Sequence, residues 1–318
     1  MQTLEFILWS NCQNNCRFCW QRLLDEKDTW LNDKEKLEAI KDCSEMIATH
    51  DVECDILLVG GELYSDQGND VNNALKSLYV QIADKIKSGD VRFLYANTSL
   101  TYGNRENLSN LLDAFAGIED SLKFTTSYDL EGRYDDEIFN KSNCGIDSLT
   151  GSQRKQNVLD NLQFINDNYP KVNTVVNTII TRAVSNAVLR PENGEAYNTL
   201  WFLDAYPNTV TYVNLIPYIP VEGDTSLDVK FSETVKVLED ANKRLPGYFG
   251  HYVTTFDLNQ DKLLYEYHRD KGYVERTAAS LDCGHNENFE RVNRSGECFI
   301  CKLIEYYNDN RSRLDGLK

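Results

Sequence analysis

The chain is 318 residues long, and a 41% hydrophobic content lets it bury one large core, in a single α/β barrel or in two smaller domains. A formal net charge of −17 argues against nucleic acid and anionic membrane as partners, since both are bound mainly by Lys and Arg that neutralise phosphates. Nine cysteines, an odd count, and an opening apolar run with no basic residue before it fit reduced thiols in a cytoplasmic protein better than a secreted disulfide framework.

Apolar runs of strand length alternate with stretches of helical spacing, the pattern of βαβ units around a parallel sheet. The predicted strands cover residues 4–9, 54–59, 91–97, 121–127, 172–180 and 209–216. Between the first two, Asn32 and Glu35 form a predicted capping box for a helix whose apolar face carries Leu37, Ile40 and Ile47. Asp70 is expected to cap a second helix, using Leu75, Leu78, Tyr79, Ile82 and Ile86, and Leu108, Leu111, Leu112 and Phe115 mark a third. A fourth uses Val158, Leu162 and Ile165 and stops at Tyr169-Pro170, because proline disfavours a helical residue before it. A fifth is expected to start near Pro191, a good first-turn residue. Six such units predict an α/β fold, a (β/α)6 partial TIM barrel over residues 1–217, open on one side because it falls short of the eight strands that close a full barrel. Residues 218–318 lack the alternation and are expected to form a C-terminal metal-binding cap, with a helix around 234–245, a strand around 252–257 and a cysteine-bearing tail.

Directly after the first predicted strand stand Cys12-x3-Cys16-x2-Cys19, in a polar loop where the active face of a barrel lies. Three neighbouring thiolates in a reduced compartment suit a soft metal, either zinc or an iron–sulfur cluster. Structural zinc wants four protein ligands, and the nearest histidine is His50, with no second cysteine pair beside it. A four-iron cube on three cysteines keeps one iron open. Gly60-Gly61-Glu62 follows the second strand, where two glycines permit close backbone approach and a carboxylate attracts an ammonium group.

This arrangement resembles the radical S-adenosylmethionine superfamily, whose CxxxCxΦC motif follows the first strand of a (β/α)6 partial barrel; Phe18 fills the aromatic position, and the likeness covers roughly residues 3–217. The resemblance implies a [4Fe–4S] cluster on Cys12, Cys16 and Cys19, with S-adenosylmethionine on the open iron. It implies that Gly60, Gly61 and Glu62 stand for the family's GGEP motif, which holds the methionine amino group, with Leu63 in place of proline. Polar strand ends fall where family members face the cofactor: Asn97 in Asn97-Thr98-Ser99, Ser127 in Ser127-Tyr128-Asp129, and Asn177 in the fifth strand. Arg182 just beyond is expected to pair with the cofactor carboxylate. No single acid or base is implied as catalytic, because the chemistry belongs to the cofactor.

Cys283, His285, Cys298 and Cys301 form a second candidate metal site near the end of the chain. As a Cys-x-His…Cys-x2-Cys set they would satisfy tetrahedral zinc; alternatively the three cysteines hold an auxiliary iron–sulfur cluster. Cys43 and Cys54 read as buried small hydrophobes, and Cys144 has no assigned role. The expected partners are a small-molecule or peptide substrate and an external electron donor such as flavodoxin or ferredoxin, with no nucleic acid and no membrane. The competing expectation is a non-catalytic zinc-binding scaffold protein, which would have no need of polar residues at successive strand ends.

Overall fold

The computed structural model describes residues 2–12, 14, 16, 17, 19, 31–50, 52–134, 149–191, 197–218, scattered positions from 226 to 241, and 289–293. Among the described residues seven strands form one sheet: β1 (Gln2–Ile7), β2 (Cys54–Val59), β3 (Val91–Asn97), β4 (Leu122–Ser127), β5 (Asn173–Ile180), β6 (Val210–Pro217) and β7 (Phe289–Asn293). Their order is β6-β5-β4-β3-β2-β1-β7, and each neighbouring pair is parallel. Parallel neighbours need a crossover, usually a helix. Among the described residues five helices of eight residues or more serve here: α1 (Asp33–Thr49), α2 (Asn69–Ser88), α3 (Glu106–Ala114), α4 (Gly151–Asn168) and α5 (Arg182–Leu189), joined before β6 by the short α6 (Trp201–Ala205). β6 does not pair with β1 among the described residues, so the first six strands make a (β/α)6 partial TIM barrel, open between β6 and the β1 side.

The strands alternate between two environments. In β4, Leu122, Phe124 and Thr126 are buried against the helices while Lys123, Thr125 and Ser127 are half-buried on the opposite face, and β5 repeats the pattern. The core joins Ile56, Leu58, Leu94, Phe124 and Val176 of the strands to Ile40, Leu75, Leu78, Leu111, Leu162 and Ile165 of the helices. The open face is more polar: Arg92 donates to both carboxylate oxygens of Asp55, at 3.0 and 2.8 Å, and the side chain of Asn214 donates to that of Asn177 at 2.9 Å. No helix among the described residues is long and apolar enough to cross a membrane.

The capping box stands as read: the Asn32 side chain accepts from Glu35 N, and Glu35 accepts from Asn32 N. Helix α4 has a second box, Thr150 with Gln153, and ends at Tyr169 before Pro170. Asp70 is not a cap. Helix α2 begins two residues earlier than an Asp70 cap would set it, behind Gly68 at φ +89°, and the entry is held by Asp66, whose side chain accepts from Gly68 N and Asn72 Nδ2, both at 2.9 Å. α5 stops at Leu189, with Arg190 out of helical geometry at φ −136°, ψ 57° before the proline; Pro191 itself is in 3-10 helical conformation, and residues 192–196 that would continue it lie outside the described residues. β1 lies two residues earlier than expected, leaving Leu8 and Trp9 as buried loop. β7 has no counterpart among the predicted strands. The expected strand around 252–257 lies outside the described residues, and of the expected helix around 234–245 only 234, 236, 237, 240 and 241 are described, all helical.

Candidate functional site

Because all strands run the same way, the loops after β1, β2, β3 and β4 meet at one edge of the sheet. The loop after β1 carries Cys12, Cys16 and Cys19, and its neighbours clamp it from three sides. From the β2 side, Gly61 N donates to Trp9 O at 2.8 Å and Glu62 N to Asn11 O at 3.0 Å. Only glycine permits this contact: a Cβ on Gly60, at φ +152°, would meet Trp9 O at 2.3 Å, and one on Gly61 would meet Asn11 O at 1.9 Å. From the β3 and α4 side, Asn14 is buried and exchanges hydrogen bonds with Thr101 Oγ1, 3.0 and 3.1 Å, while Arg154 Nη1 donates to Asn14 Oδ1 at 3.3 Å. From the β4 side, Arg17 N donates to Gly132 O at 2.8 Å and Arg133 Nη1 to Cys16 Sγ at 3.2 Å. The far end of the loop is pinned by Asn11, whose side chain donates to Leu31 O and accepts from Leu31 N.

Glu62 lies at the centre of this edge, fully buried. Its Oε1 accepts from Tyr64 N at 3.1 Å and Thr98 Oγ1 at 2.9 Å; its Oε2 accepts from Ser99 N at 2.6 Å and from Ser99 Oγ. Burial raises its pKa above the ordinary carboxylate value, and the hydrogen bonds from Ser99, Tyr64 and Thr98 work against that rise. The carboxylate is thus committed to the loop after β3. The Asn97-Thr98-Ser99 patch divides accordingly: Thr98 and Ser99 serve Glu62, while Asn97 is exposed.

Charge near the thiols is arranged in pairs. Asp129, fully buried, accepts from Arg133 Nε at 2.6 Å through Oδ2 and from Ile179 N at 2.8 Å through Oδ1. Burial disfavours the Arg133 charge, but its coupling to Cys16 and Asp129 outweighs that and holds the guanidinium above its ordinary pKa. The Cys16 thiol is pushed up to about 12 by burial, with Arg133 pulling it down and Cys19 and Asp129 adding to the rise. Cys12 is raised by burial, then by Cys16, Glu62 and Cys19, so the three thiols feel one another.

Among the described residues no three His, Cys, Asp or Glu side chains converge as a closed metal-holding group. By donor chemistry alone, three soft thiols on one loop with a cation on one of them suit an iron–sulfur cluster. Phe18, Cys144, Cys283, His285, Cys298 and Cys301 lie outside the described residues; Cys43 and Cys54 are buried, as expected of packing residues.

The remaining expected site residues are spread along the same edge. Ser127 ends β4 half-buried, with its carbonyl accepting from Tyr134 Oη at 3.2 Å. Asn177 faces the open side of β5 beside Asn214. Arg182 is the exposed first residue of α5, its backbone N–H bonded to Leu227 O at 3.2 Å. Asn14, Thr101, Arg133 and Arg154 have no role assigned from sequence. The one sequence signal for Arg133 is its place four residues after Asp129, a spacing that lets the two pair.

No protein-family model matches the chain, and no curated protein matches it. Among solved structures, native anSMEcpe with bound AdoMet superposes with a TM-score of 0.47 at 15% identity, over 83% of this chain and 67% of that one. A histidine-tagged form of anSMEcpe with bound AdoMet gives a TM-score of 0.46 at 16% identity, over 83% of this chain and 64% of that one, so this chain spans less than two thirds of its length.

Proposed function

We propose that the chain is a radical S-adenosylmethionine enzyme acting on a small-molecule or peptide substrate. The observation that carries the reading is the bonding of the Gly60-Gly61-Glu62 turn to the backbone of the cysteine loop, at glycine positions that tolerate no side chain. The two motifs of the resemblance are thereby one structural unit at the strand ends. Cys12, Cys16 and Cys19 would hold the [4Fe–4S] cluster, with Phe18 beside them. When bound, the reduced cluster and S-adenosylmethionine supply a 5′-deoxyadenosyl radical that takes hydrogen from the substrate.

The chain's own residues bind and orient. Glu62 fixes Thr98 and Ser99 and so shapes the wall next to the cysteine loop. Gly60 and Gly61 set the backbone where the methionine end of the cofactor is expected. Asn97, Ser127 and Asn177 offer polar groups to its ribose or carboxylate, and Arg182 is the proposed partner of the carboxylate. Flavodoxin or ferredoxin is the proposed electron source. Cys283, His285, Cys298 and Cys301 are proposed as a second site for zinc or an auxiliary cluster. The protein is proposed to work in the cytoplasm, apart from nucleic acid and membrane.

The test is anaerobic reconstitution with iron and sulfide. The expected product shows visible iron–sulfur absorbance, and with reductant and S-adenosylmethionine it releases 5′-deoxyadenosine slowly even without substrate. Cys16→Ala should abolish that release. A wild-type chain that takes up zinc but forms no iron–sulfur absorbance would overturn the proposal.

A further inference from the structure

We infer that Arg133 is a positioning residue that sets the electron affinity of the centre held by Cys12, Cys16 and Cys19; the inference rests on the enzyme reading above. Its guanidinium is nearly enclosed, at 13% side-chain exposure, and its Nη1 donates to Cys16 Sγ at 3.2 Å. The group cannot swing away easily. Its Nε is bonded to Asp129, Asp129 is itself fixed by Ile179 N, and the adjacent Gly132 carbonyl takes the N–H of Arg17, next to Cys16. Two more bonds hold this segment: Lys155 Nζ donates to Leu130 O at 3.1 Å and Ala183 N to Glu131 Oε1 at 2.6 Å.

A fixed cation donating to a ligand sulfur stabilises the extra negative charge that a reduced centre carries, and does so strongly where water is excluded. The structure therefore places on one cysteine a device that makes reduction easier. The carboxylate of Asp129 keeps the guanidinium in place and offsets part of its charge, so the effect is graded.

The experiment is a reductive titration of the reconstituted full chain, without S-adenosylmethionine, reading the midpoint potential of the centre and its iron content. Arg133→Met, which keeps length and loses charge, should keep its iron and show a more negative midpoint than wild type. Arg133→Lys, whose compact ammonium cannot serve Asp129 and Cys16 together, should fall between the two. Iron-loaded variants with the wild-type midpoint would overturn the inference while leaving the enzyme reading standing. If Arg133→Met loses its iron, Arg133→Lys decides: a negative shift supports the inference and an unchanged midpoint overturns it. A wild-type chain that binds no iron sinks both.

Discussion

A methyl group on Gly61 would sit 1.9 Å from Asn11 O and 2.6 Å from Ser10 O, both backbone atoms that no side-chain rotation can move. Gly61→Ala must therefore push the cysteine loop away from the β2 turn. The expected cost is about 3 kcal/mol or more, at the upper end of overpacking penalties, read as a lowered melting temperature of the metal-free chain together with reduced iron uptake. An alanine variant with wild-type melting and iron content would show that the two loops are not locked. Single residues also mark the limit of what the sequence discloses. Cys12, Cys16, Cys19, Gly60, Gly61 and Glu62 stand out in the sequence because their types and spacing are unusual, and the structure brings their two loops together. Arg133, Asn14 and Arg154 do not stand out, because they act through partners 117 and 140 positions away, and an ordinary arginine in a loop carries no trace of such a contact. Glu62 shows a subtler gap: the sequence points to the residue, while the carboxylate's bonds to Ser99 and Thr98 depend on where β3 ends.

At the scale of elements, the entry to α2 is the instructive case. Asp66 accepts from Gly68 N, Asn72 Nδ2 and Asn104 Nδ2, and the bonds from Gly68 and Asn72 hold its pKa below the ordinary carboxylate value. A folded-state pKa below the unfolded one adds stability that is complete above the unfolded value and is lost as pH falls through the folded one. Asp66→Asn should therefore be less stable than wild type at neutral pH, with the gap closing on acidification through the carboxylate range; urea unfolding of both proteins across that range checks it. A gap that is constant with pH would mean the charge contributes nothing. The failure of Asp70 as a cap has a local cause: the helix starts behind Gly68, at positive φ, so Asp70 falls inside the first turn, and it is Asp66, ahead of the helix, that takes the N–H of Gly68. Pro191 is helical, while α5 just before it has no counterpart among the expected helices. The six strands and the helices α1 to α4 are legible because their apolar spacing extends over several turns. β7 is hidden because a five-residue strand with mixed polarity has no periodicity to read.

For the molecule as a whole, β7 gives β1 a neighbour on both sides, so the strand that leads into the cysteine loop is interior to the sheet. A chain ending at residue 241 would leave β1 as an edge with unpaired backbone groups, a template for association. That truncation should elute as larger species in size-exclusion chromatography, and should do so even in the metal-free form; a monomeric, iron-binding truncation would show that β7 is dispensable. The order of the elements also sets a timetable. A ribosome delivers the cysteines first, Arg133 and Gly132 more than a hundred residues later, and Arg154 later still. At about 5–20 residues per second, the three thiols emerge on the order of ten seconds before the last of their clamps exists. During that interval they are ordinary reactive thiols, open to oxidants and to whichever metal arrives first. Loading the right centre is therefore a matter of timing as well as affinity, and a cell that makes this protein has to keep those thiols reduced until α4 has been translated.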